Sequence, residues 1–269
     1  MKIALTIAAS DSSCGAGVQV DLAVLRDCGV YGVCAVTNVT AQNSRGVHKI
    51  SKVPPRIVVA QIDAVARDFH VDACKVGMLF SPRMVDLVAE RIHRRQIPNV
   101  VLDPVMRAKN GEELLRPAAV KRMIKSLVPK ATLVTPNAQE AELLTGVCVV
   151  DNKGAREAAK ALVEMGARHA LVKGGHVEGE PVDVLFDGRE FHEFTGKRQE
   201  KVMHGTGCVL SAAIAARLAL GDVVVSAVEF GKDYVTKAIE RSVRLGKGEM
   251  DYFFGSCLLY TSPSPRDRS

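Results

Sequence analysis

Short apolar runs alternate with longer stretches of helical periodicity along most of this chain. Residues 3–9, 33–39 and 100–102 are typical of buried strands, because each run is short and apolar and polar or glycine-rich residues follow it. Helical spacing of apolar residues appears in 18–28 and 82–95. Strands that alternate with helices form βαβ units, so the sequence predicts an α/β fold with a mainly parallel sheet.

The same pattern continues to the end of the apolar part of the chain. Further strands are predicted at 73–76, 131–134 and 169–172, and a hairpin at 182–186 and 190–194 across Asp187 and Gly188. Further helices are predicted at 54–69, 117–127, 136–144, 153–165, 208–218 and 223–245. A loop is expected over 40–46.

The length is consistent with a single domain. A chain of 269 residues is near the upper size for one hydrophobic core, and it contains no internal repeat or linker. We therefore expect one domain over residues 1–255. Residues 256–269 change character to Ser, Pro and Arg, which predicts a disordered or non-native tail.

Charge and cysteine content argue against several classes of protein. The net charge is +6 and Trp is absent, so a nucleic-acid surface with stacking aromatics is not expected. No apolar stretch reaches the roughly 18 residues of a membrane helix, and no membrane partner is expected. Seven cysteines without a C-x-x-C pair disfavour zinc and disulfides and favour a reducing cytoplasm.

Polar segments directly follow five of the predicted strands. Ligands bind at the carboxyl ends of the strands in folds of this kind. We therefore expect these segments to share one rim of the sheet. The segments are 10–17, 40–46, 103–113, 135–140 and 173–176.

A glycine-rich turn, residues 204–208, opens directly into an alanine-rich run. The first turn of a helix has free N–H groups and a positive potential, so an anion can bind there. The alternative is a tightly packed helix start with a small buried cysteine. The helix dipole, worth about 0.3–1 kcal/mol and at most about 2, predicts that the pKa of Cys208 falls by about one unit from about 8.5.

The chemistry-bearing residues on the predicted rim match the needs of phosphoryl transfer. The chain contains neither a Walker-type phosphate loop nor a complete dinucleotide-binding glycine motif. What remains is the anion-binding turn, Lys173 at a strand end, and the carboxylates of Asp103 and Glu140. Backbone donors, a cation and a carboxylate for Mg²⁺ are the parts that this reaction requires, and Cys208 is the candidate base.

With these residues assembled, the chain resembles the hydroxymethylpyrimidine/phosphomethylpyrimidine kinases of thiamine biosynthesis. These enzymes are members of the ribokinase-like superfamily, so the resemblance implies a three-layer α/β/α fold with a mainly parallel central sheet. It also implies ATP and Mg²⁺, a small-molecule substrate, and a homodimer or larger homo-oligomer. The motifs that carry it are SDSSCGAGVQVDL (10–22), TAQN (40–43), KVGML (75–79), DPVM (103–106), TPNAQEA (135–141), KGGH (173–176) and HGTGC (204–208).

The resemblance assigns one group of residues to the substrate. It implies that Gln42 recognises the aminopyrimidine and that Asp21, Met78 and Val105 line the pocket. On the residues alone, Gln42 could instead cap its loop, and Met78 and Val105 could be ordinary core.

A second group is implied to bind the nucleotide and to carry the reaction. Lys173, Asn137, Glu140 and Asp103 would face ATP, with Asp103 and Glu140 also holding Mg²⁺, directly or through water. Gly205, Thr206, Gly207 and Cys208 would form the anion hole, with Cys208 as the base. On the residues alone, Asp103 could also be a turn acid before Pro104.

The resemblance implies a kinase that phosphorylates 4-amino-5-hydroxymethyl-2-methylpyrimidine and then phosphorylates the monophosphate to the diphosphate. A pyridoxal or pyridoxine kinase is the enzyme alternative, and a non-catalytic pyrimidine or nucleotide sensor is the alternative from another class. Two positions depart from the family pattern: Cys14 stands where glycine is usual, and Ala23 where lysine is common.

Overall fold

The strands of the α/β pattern form one continuous sheet. A computed structural model describes residues 1–106, 115, 117–175, 181–196 and 199–255. Within these residues nine strands lie in the order β3-β2-β1-β4-β5-β6-β7-β8-β9. Residues 107–113 of the expected rim, His176 and the expected tail 256–269 lie outside the described residues.

The elements follow one another as alternating strands and helices for most of the chain. The strands are β1 (Ile3–Asp11), β2 (Tyr31–Asn43), β3 (Gly46–Lys52), β4 (Ala73–Val76), β5 (Val100–Leu102), β6 (Leu133–Val134), β7 (His169–Val172), β8 (Val182–Phe186), β9 (Phe191–Thr195), β10 (Val243–Arg244) and β11 (Asp251–Tyr252). The helices are α1 (Gly17–Asp27), α2 (Pro55–Asp68), α3 (Pro82–Arg94), α4 (Pro117–Arg122), α5 (Ala138–Thr145), α6 (Asn152–Glu164), α7 (Thr206–Leu220) and α8 (Val224–Glu240).

The centre of the sheet is parallel and its edges are antiparallel. Strands β2, β1, β4, β5, β6 and β7 pair in parallel. The edge strand β3 is antiparallel to β2, and β8 and β9 form an antiparallel hairpin beside β7. This arrangement confirms the predicted mainly parallel sheet.

Helices cover both faces of the sheet, so the fold has three layers. Alternate residues of one strand point to opposite faces: Val100 and Leu102 pack in the apolar core that contains residues of α2 to α6. Val101, between them, packs in a second core with residues of α1, α7 and α8. None of the described helices combines the length and the apolar character needed to cross a membrane.

Most predicted elements are confirmed, several with the predicted bounds. Strands Ala73–Val76, Val100–Leu102 and His169–Val172 match residue for residue. The expected loop over 40–46 is wrong: β2 runs to Asn43 and turns directly into β3, which the sequence analysis missed. Strand β3 lies at the sheet edge and half of it is exposed, so it lacks the apolar run of a buried strand.

Two helix ends also differ from the prediction. The helix expected over 223–245 ends at Glu240, because the chain then turns into a small antiparallel pair, Val243–Arg244 with Asp251–Tyr252. The helix expected over 117–127 is α-helical only to Arg122 and continues as a π-helical turn, Met123–Leu127. Periodicity alone does not separate these helical types.

Candidate active site

The polar segments that follow the parallel strands meet, as predicted, at one rim of the sheet. Ser12 and the backbone of Gln42 exchange two hydrogen bonds of 2.8 Å. Asn137 forms a parallel bridge with Lys173, whose ammonium donates to Asp103 at 3.3 Å. These contacts define two halves of the rim, which we name after the reactants that the family resemblance assigns to them. The ring half, named after the aminopyrimidine ring, contains 10–17 and 40–43, and the phosphate half, named after the phosphates of ATP, contains 103–106, 137–140 and 173–175.

The turn before α7 lies between the two halves. Gly205 is the N-cap of α7 and adopts φ +75°, and a Cβ on it would lie 2.0 Å from the carbonyl oxygen of Gly15. Only glycine fits there. A Cβ on Gly207 would lie 3.4 Å from the Lys173 ammonium, so the turn faces the phosphate half.

The sequence analysis left two interpretations of this turn open, an anion site and a tightly packed helix start, and burial differs along the helix. From Val209 to Ala216 the helix is buried, as expected for a packed helix. Residues 205–208 are partly exposed instead, and Thr206 is the first residue of α7. Binding of an anion by the first N–H groups of the helix therefore stays a prediction for this partly exposed turn.

The pKa of Cys208 does not follow the prediction. Burial raises the pKa of this thiol to about 11, and the nearby Lys75 and the N–H of Gly17 only partly oppose that shift. The expected lowering by the helix dipole is wrong, because desolvation of a thiolate outweighs about one unit from the dipole.

Lys173 and Asp103 form the centre of the phosphate half. Lys173 follows β7, and Asp103 follows β5. The Ser211 hydroxyl, one turn into α7, lies 2.8 Å from the carbonyl oxygen of Gly207 and 3.4 Å from the Asp103 carboxylate, and its single proton is shared between these acceptors. Burial acts against the Lys173 charge, but Asp103 and Glu140 outweigh it and the pKa of Lys173 is raised. A charged lysine therefore lies beside the turn 205–208.

Glu140 and Asn137 begin α5 with a capping box. The Asn137 side chain accepts from the N–H of Glu140, and the Glu140 carboxylate accepts from the N–H of Asn137, both at 2.9 Å. Burial raises the pKa of Glu140, and Lys173 opposes that shift. Sequence reasoning predicted both residues as ligand contacts, and the structure adds that they also fix the helix start.

The carboxylates of the phosphate half are ligands of the kind that Mg²⁺ prefers. Within the described residues no group of three or more His, Cys, Asp or Glu side chains could hold a metal ion. Asp103 accepts a hydrogen bond from Lys173 at 3.3 Å, and the carboxylate of Glu140 also favours the charged form of Lys173. Mg²⁺ commonly takes one or two carboxylates, with water and phosphate oxygens completing its shell, so this pair fits a nucleotide-bound Mg²⁺.

Gln42 leads the ring half and is held by residues from distant parts of the chain. Its amide nitrogen lies 2.7 Å from Nε2 of His204, and the same ring nitrogen lies 3.1 Å from Asp11. Asp11 also accepts from the N–H groups of Ser13 and Ala16. Burial would raise the pKa of Asp11, but the His204 and Ser13 hydrogen bonds outweigh it and the pKa is lowered.

The other residues assigned to the substrate differ in accessibility. Met78 and Val105 pack in a small apolar cluster with Ala9, apart from the main core, near the ends of β4 and β5. Asp21 is 0% exposed, and its carboxylate is bound by Lys75. Its carboxylate therefore lies beneath the rim, and contact with substrate stays a prediction for Asp21.

Comparison with known proteins gives the family. The family model described as phosphomethylpyrimidine kinase matches residues 11–252. The chain belongs to the phosphomethylpyrimidine kinase family. This result confirms the family and the ribokinase-like three-layer fold that the motifs implied, and kinases of this family are phosphotransferases.

The similarity to known proteins extends over most of this chain. A hydroxymethylpyrimidine/phosphomethylpyrimidine kinase of Haemophilus influenzae is 41% identical over 92% of this chain and 94% of its own. The thiamine biosynthesis bifunctional protein of Geobacter sulfurreducens is 47% identical over 91% of this chain, which spans only 50% of that protein. The Bacillus subtilis pyridoxal kinase in its ADP complex is 35% identical, with a TM-score of 0.89, over 96% of this chain and 98% of that chain.

The structure explains one departure from the family motif. Cys14 adopts φ +58°, in the left-handed region where glycine is favoured. It is exposed in the first rim loop, so the thiol has room although its backbone conformation is strained. Ala23 is exposed on α1.

Three residues of this kinase were missed by sequence reasoning as site residues. His204 was included in the HGTGC motif but given no function, and nothing in the sequence indicates its contact with Gln42. Lys75 offered a signal, because it is a charged residue in the otherwise apolar strand Ala73–Val76. Asp183 in β8 accepts from the N–H of Gly174, the residue after Lys173, at 2.8 Å.

Proposed function

We propose that this protein is an ATP-dependent kinase of 4-amino-5-hydroxymethyl-2-methylpyrimidine and of its monophosphate. The carrying observation is the position of the turn 205–208, in which Gly207 faces Lys173 and Asp103 and Gly205 faces the backbone of Gly15. Its relatives carry the corresponding names, and a structural neighbour binds ADP.

Each half of the rim binds one reactant in this proposal. Gln42 hydrogen-bonds the aminopyrimidine ring, and Met78 and Val105 contact its apolar face. Asn137 and Lys173 orient the phosphates of ATP. The N–H groups of Gly205 to Cys208 stabilise the charge of the transferred phosphoryl group, because preformed donors act strongly where water is excluded.

The reaction needs one proton to leave the substrate hydroxyl. Burial raises the pKa of Cys208 to about 11, so the thiol first loses its own proton to solvent and the minor thiolate form accepts the hydroxyl proton. That oxygen bonds to the γ-phosphorus as the bond from this phosphorus to the bridging oxygen breaks and ADP leaves. In a loose transition state the hydroxyl proton leaves late, so no alkoxide has to form beforehand. Asp103 and Glu140 would hold Mg²⁺, which supplies charge neutralisation at the phosphates when bound.

A pyridoxal kinase is the second candidate, favoured by the similarity to the Bacillus subtilis enzyme. Pyridoxal also offers a hydroxymethyl group on a six-membered nitrogen ring. The amide of Gln42, presented at the rim by His204, favours the aminopyrimidine because it can pair with both ring nitrogen and amino group. A non-catalytic sensor is disfavoured by the intact Cys208, Lys173 and Glu140.

The test is ADP release with three acceptors measured side by side: the hydroxymethylpyrimidine, its monophosphate and pyridoxal. We expect turnover on both pyrimidines, with kcat/KM above that for pyridoxal. Turnover on pyridoxal alone would establish the second candidate. Binding of nucleotide without turnover on any acceptor would leave the sensor.

Three wider properties stay predictions. The six cysteines in the described part of the chain are free, which supports a reducing cytoplasm. The homodimer or larger homo-oligomer rests on the family resemblance. The single domain over residues 1–255 is supported by the sheet that joins elements from Ile3 to Thr195.

A further inference from the structure

One ring nitrogen in the ring half has two hydrogen-bonding partners of different kinds. Nε2 of His204 lies 2.7 Å from the Gln42 amide nitrogen and 3.1 Å from the Asp11 carboxylate. His204 is 9% exposed and Asp11 is 3% exposed, so water competes little for these contacts. An imidazole nitrogen carries either a proton or a lone pair. Nε2 is therefore a donor or an acceptor here, but not both.

The Asp11 carboxylate decides between these two forms. Its Oδ1 accepts from the N–H and the hydroxyl of Ser13, both at 2.8 Å. Its Oδ2 accepts from the N–H groups of Gly15 and Ala16, at 3.2 and 3.0 Å. Four donors that converge on one carboxyl group favour its ionised form, which only accepts hydrogen bonds. Nε2 beside Oδ2 is therefore the donor, because a lone pair there would face a negative charge.

The other ring nitrogen of His204 does not alter this choice. Nδ1 is buried and has no hydrogen-bond partner within the part of the chain that the structure describes, so it is unpaired in either tautomer. The ring is also closely packed: a Cβ on Gly15 would lie 2.2 Å from its Cδ2, and Tyr252 meets it edge-on with ring centroids 5.9 Å apart. The contact with Asp11 is thus what distinguishes the two tautomers.

A proton on Nε2 determines how the Gln42 amide is oriented. An amide nitrogen donates and an amide oxygen accepts, so two donors would face each other across 2.7 Å if the nitrogen stayed beside the Nε2–H. A half-turn of the amide exchanges nitrogen and oxygen with little change in shape. The oxygen then accepts from Nε2–H.

Thr40 on the other side of the amide favours the same half-turn. Its hydroxyl donates to the carbonyl of Ser10 at 3.0 Å and lies 3.3 Å from the Gln42 amide oxygen. A hydroxyl has one proton. When the shorter contact takes that proton, the Thr40 oxygen can only accept, and the amide nitrogen is the donor that suits it.

We propose that His204, with its Nε2 proton held by Asp11, is a positioning residue that turns the Gln42 amide to recognise an amino group beside a ring nitrogen. This inference rests on the proposed function, because the ring is that of the pyrimidine acceptor. Gln42 is half-buried at the rim. Its oxygen keeps one lone pair for the amino group, and its nitrogen keeps one N–H for the ring nitrogen.

A ring with the opposite pattern is rejected by the same contacts. A carbonyl and a ring N–H in these two places need the amide turned the other way. That orientation brings the Gln42 nitrogen back against the Nε2–H of His204. The selectivity for an aminopyrimidine over an oxopyrimidine therefore depends on one proton that does not touch the substrate.

The experiment measures the proton and the selectivity separately. Nitrogen NMR of isotope-labelled histidine in the ligand-free wild-type protein shows whether Nε2 of His204 is protonated, and His204→Gln assigns the signal among the seven histidines. Calorimetry gives the Kd of the aminopyrimidine substrate and of its oxo analogue, in which a carbonyl and a ring N–H replace the amino group and the ring nitrogen. The proteins are the wild type, His204→Leu and His204→Gln.

The two variants are a matched pair. Glutamine can place an N–H donor near the position of Nε2, whereas leucine removes the donor, and both replace the ring by a flexible side chain. Thermal unfolding checks the fold of each variant. If His204→Leu does not fold, His204→Met takes its place, and the NMR result on the wild type depends on neither variant.

We expect a protonated Nε2 and a wild-type preference for the amino compound of about tenfold or more. His204→Leu should lower that preference about tenfold, because the amide can then turn either way, and His204→Gln should keep most of it. A lone pair on Nε2, the absence of a wild-type preference, or an equal preference in wild type and His204→Leu would overturn the proposal and leave His204 as a packing residue.

The NMR measurement uses no ligand, so the two failures are distinguishable. Turnover on both pyrimidines together with a lone pair on Nε2 would reject only the function of His204. A protonated Nε2 in a protein that neither binds nor phosphorylates a pyrimidine would reject the proposed function and leave the hydrogen bonds among Asp11, His204 and Gln42 in place.

Discussion

The two halves of the rim use different physical chemistry. The phosphate half is built from charges: Lys173 and Asp103 form an ion pair with side chains 16% and 4% exposed, and Glu140 lies beside them. The ring half presents neutral groups, Ser12 and the amide of Gln42. Its carboxylate, Asp11, is occupied by backbone N–H groups and His204.

This difference suits the two reactants that we propose, because ATP has charged phosphates and the pyrimidine is a neutral ring. Phosphate oxygens carry full charges, so a lysine that two carboxylates keep protonated can bind and orient them. A neutral ring is selected by hydrogen-bond groups in fixed positions, since a mismatched partner leaves a buried polar group unpaired. Variants in the phosphate half should therefore affect the rate, and variants in the ring half the choice and affinity of the acceptor.

The largest effect is expected from Lys173→Met. Loss of a preorganised charge at a developing oxyanion site should lower kcat about 10²–10³-fold while leaving KM for the pyrimidine nearly unchanged. Steady-state ADP release with each reactant varied in turn measures both constants.

Lys232→Met is the matched control for that variant. Lys232 also pairs with a buried aspartate, Asp183, at 2.6 Å, and its side chain is also 16% exposed. The Lys232→Met substitution should lower the thermal stability, but it should lower kcat much less than Lys173→Met does. If both variants lose kcat equally, the effect belongs to the packing of this edge of the sheet and the contrast between the halves fails.

A smaller effect, opposite in kind, is expected from Gln42→Leu. Removing the amide should lower kcat/KM for the pyrimidine about 10–100-fold, the range of an unpaired buried polar group, mainly through KM. KM for ATP should stay constant, and the preference over pyridoxal should shrink. Parallel kinetics with the two acceptors provide the measurement.

Gln61→Leu makes the same chemical change away from the rim. The Gln61 amide pairs with the backbone of Val36 at 2.9 and 3.2 Å, so its loss should lower stability without altering acceptor choice. An unchanged acceptor preference in Gln42→Leu would remove Gln42 from ring recognition.

How much the sequence predicts also differs between the halves. The residues of the phosphate half follow buried apolar strands, so one rule about strand ends was enough to group Asp103 and Lys173. The ring half depends on the hairpin of β2 with the exposed edge strand β3, whose sequence Gly46–Lys52 has no buried run. Its central contact joins Gln42 and His204, which are 162 positions apart in the sequence. No local sequence pattern indicates a contact between residues so far apart in the chain.

The pKa of Cys208 shows why a residue that lies at the predicted helix start can still have a property that the sequence does not predict. The helix start and its dipole are local and were predicted. The desolvation that raises its pKa comes from α1, β4 and the strand ends packed around it, which only the folded chain brings together. Lys75 is part of the same packing, and the sequence marked it only as a charge in an apolar strand.

The smallest effect is expected from Ser12→Ala, which loosens the ring half without touching the reactants. The Ser12 hydroxyl donates to the Gln42 carbonyl and accepts from its N–H. Each of the two lost hydrogen bonds is worth about 0.5–1.5 kcal/mol, and less where water competes for the groups. Their loss should raise KM for the pyrimidine about two- to tenfold, with kcat and KM for ATP unchanged. Ser13→Ala is the control, because it also removes a hydroxyl from the first loop, one that donates to Asp11 at 2.8 Å, while the Ser13 backbone N–H still reaches Asp11. Equal KM values in the two variants would mean that Gln42 needs no support from the first loop and that His204 alone positions its amide.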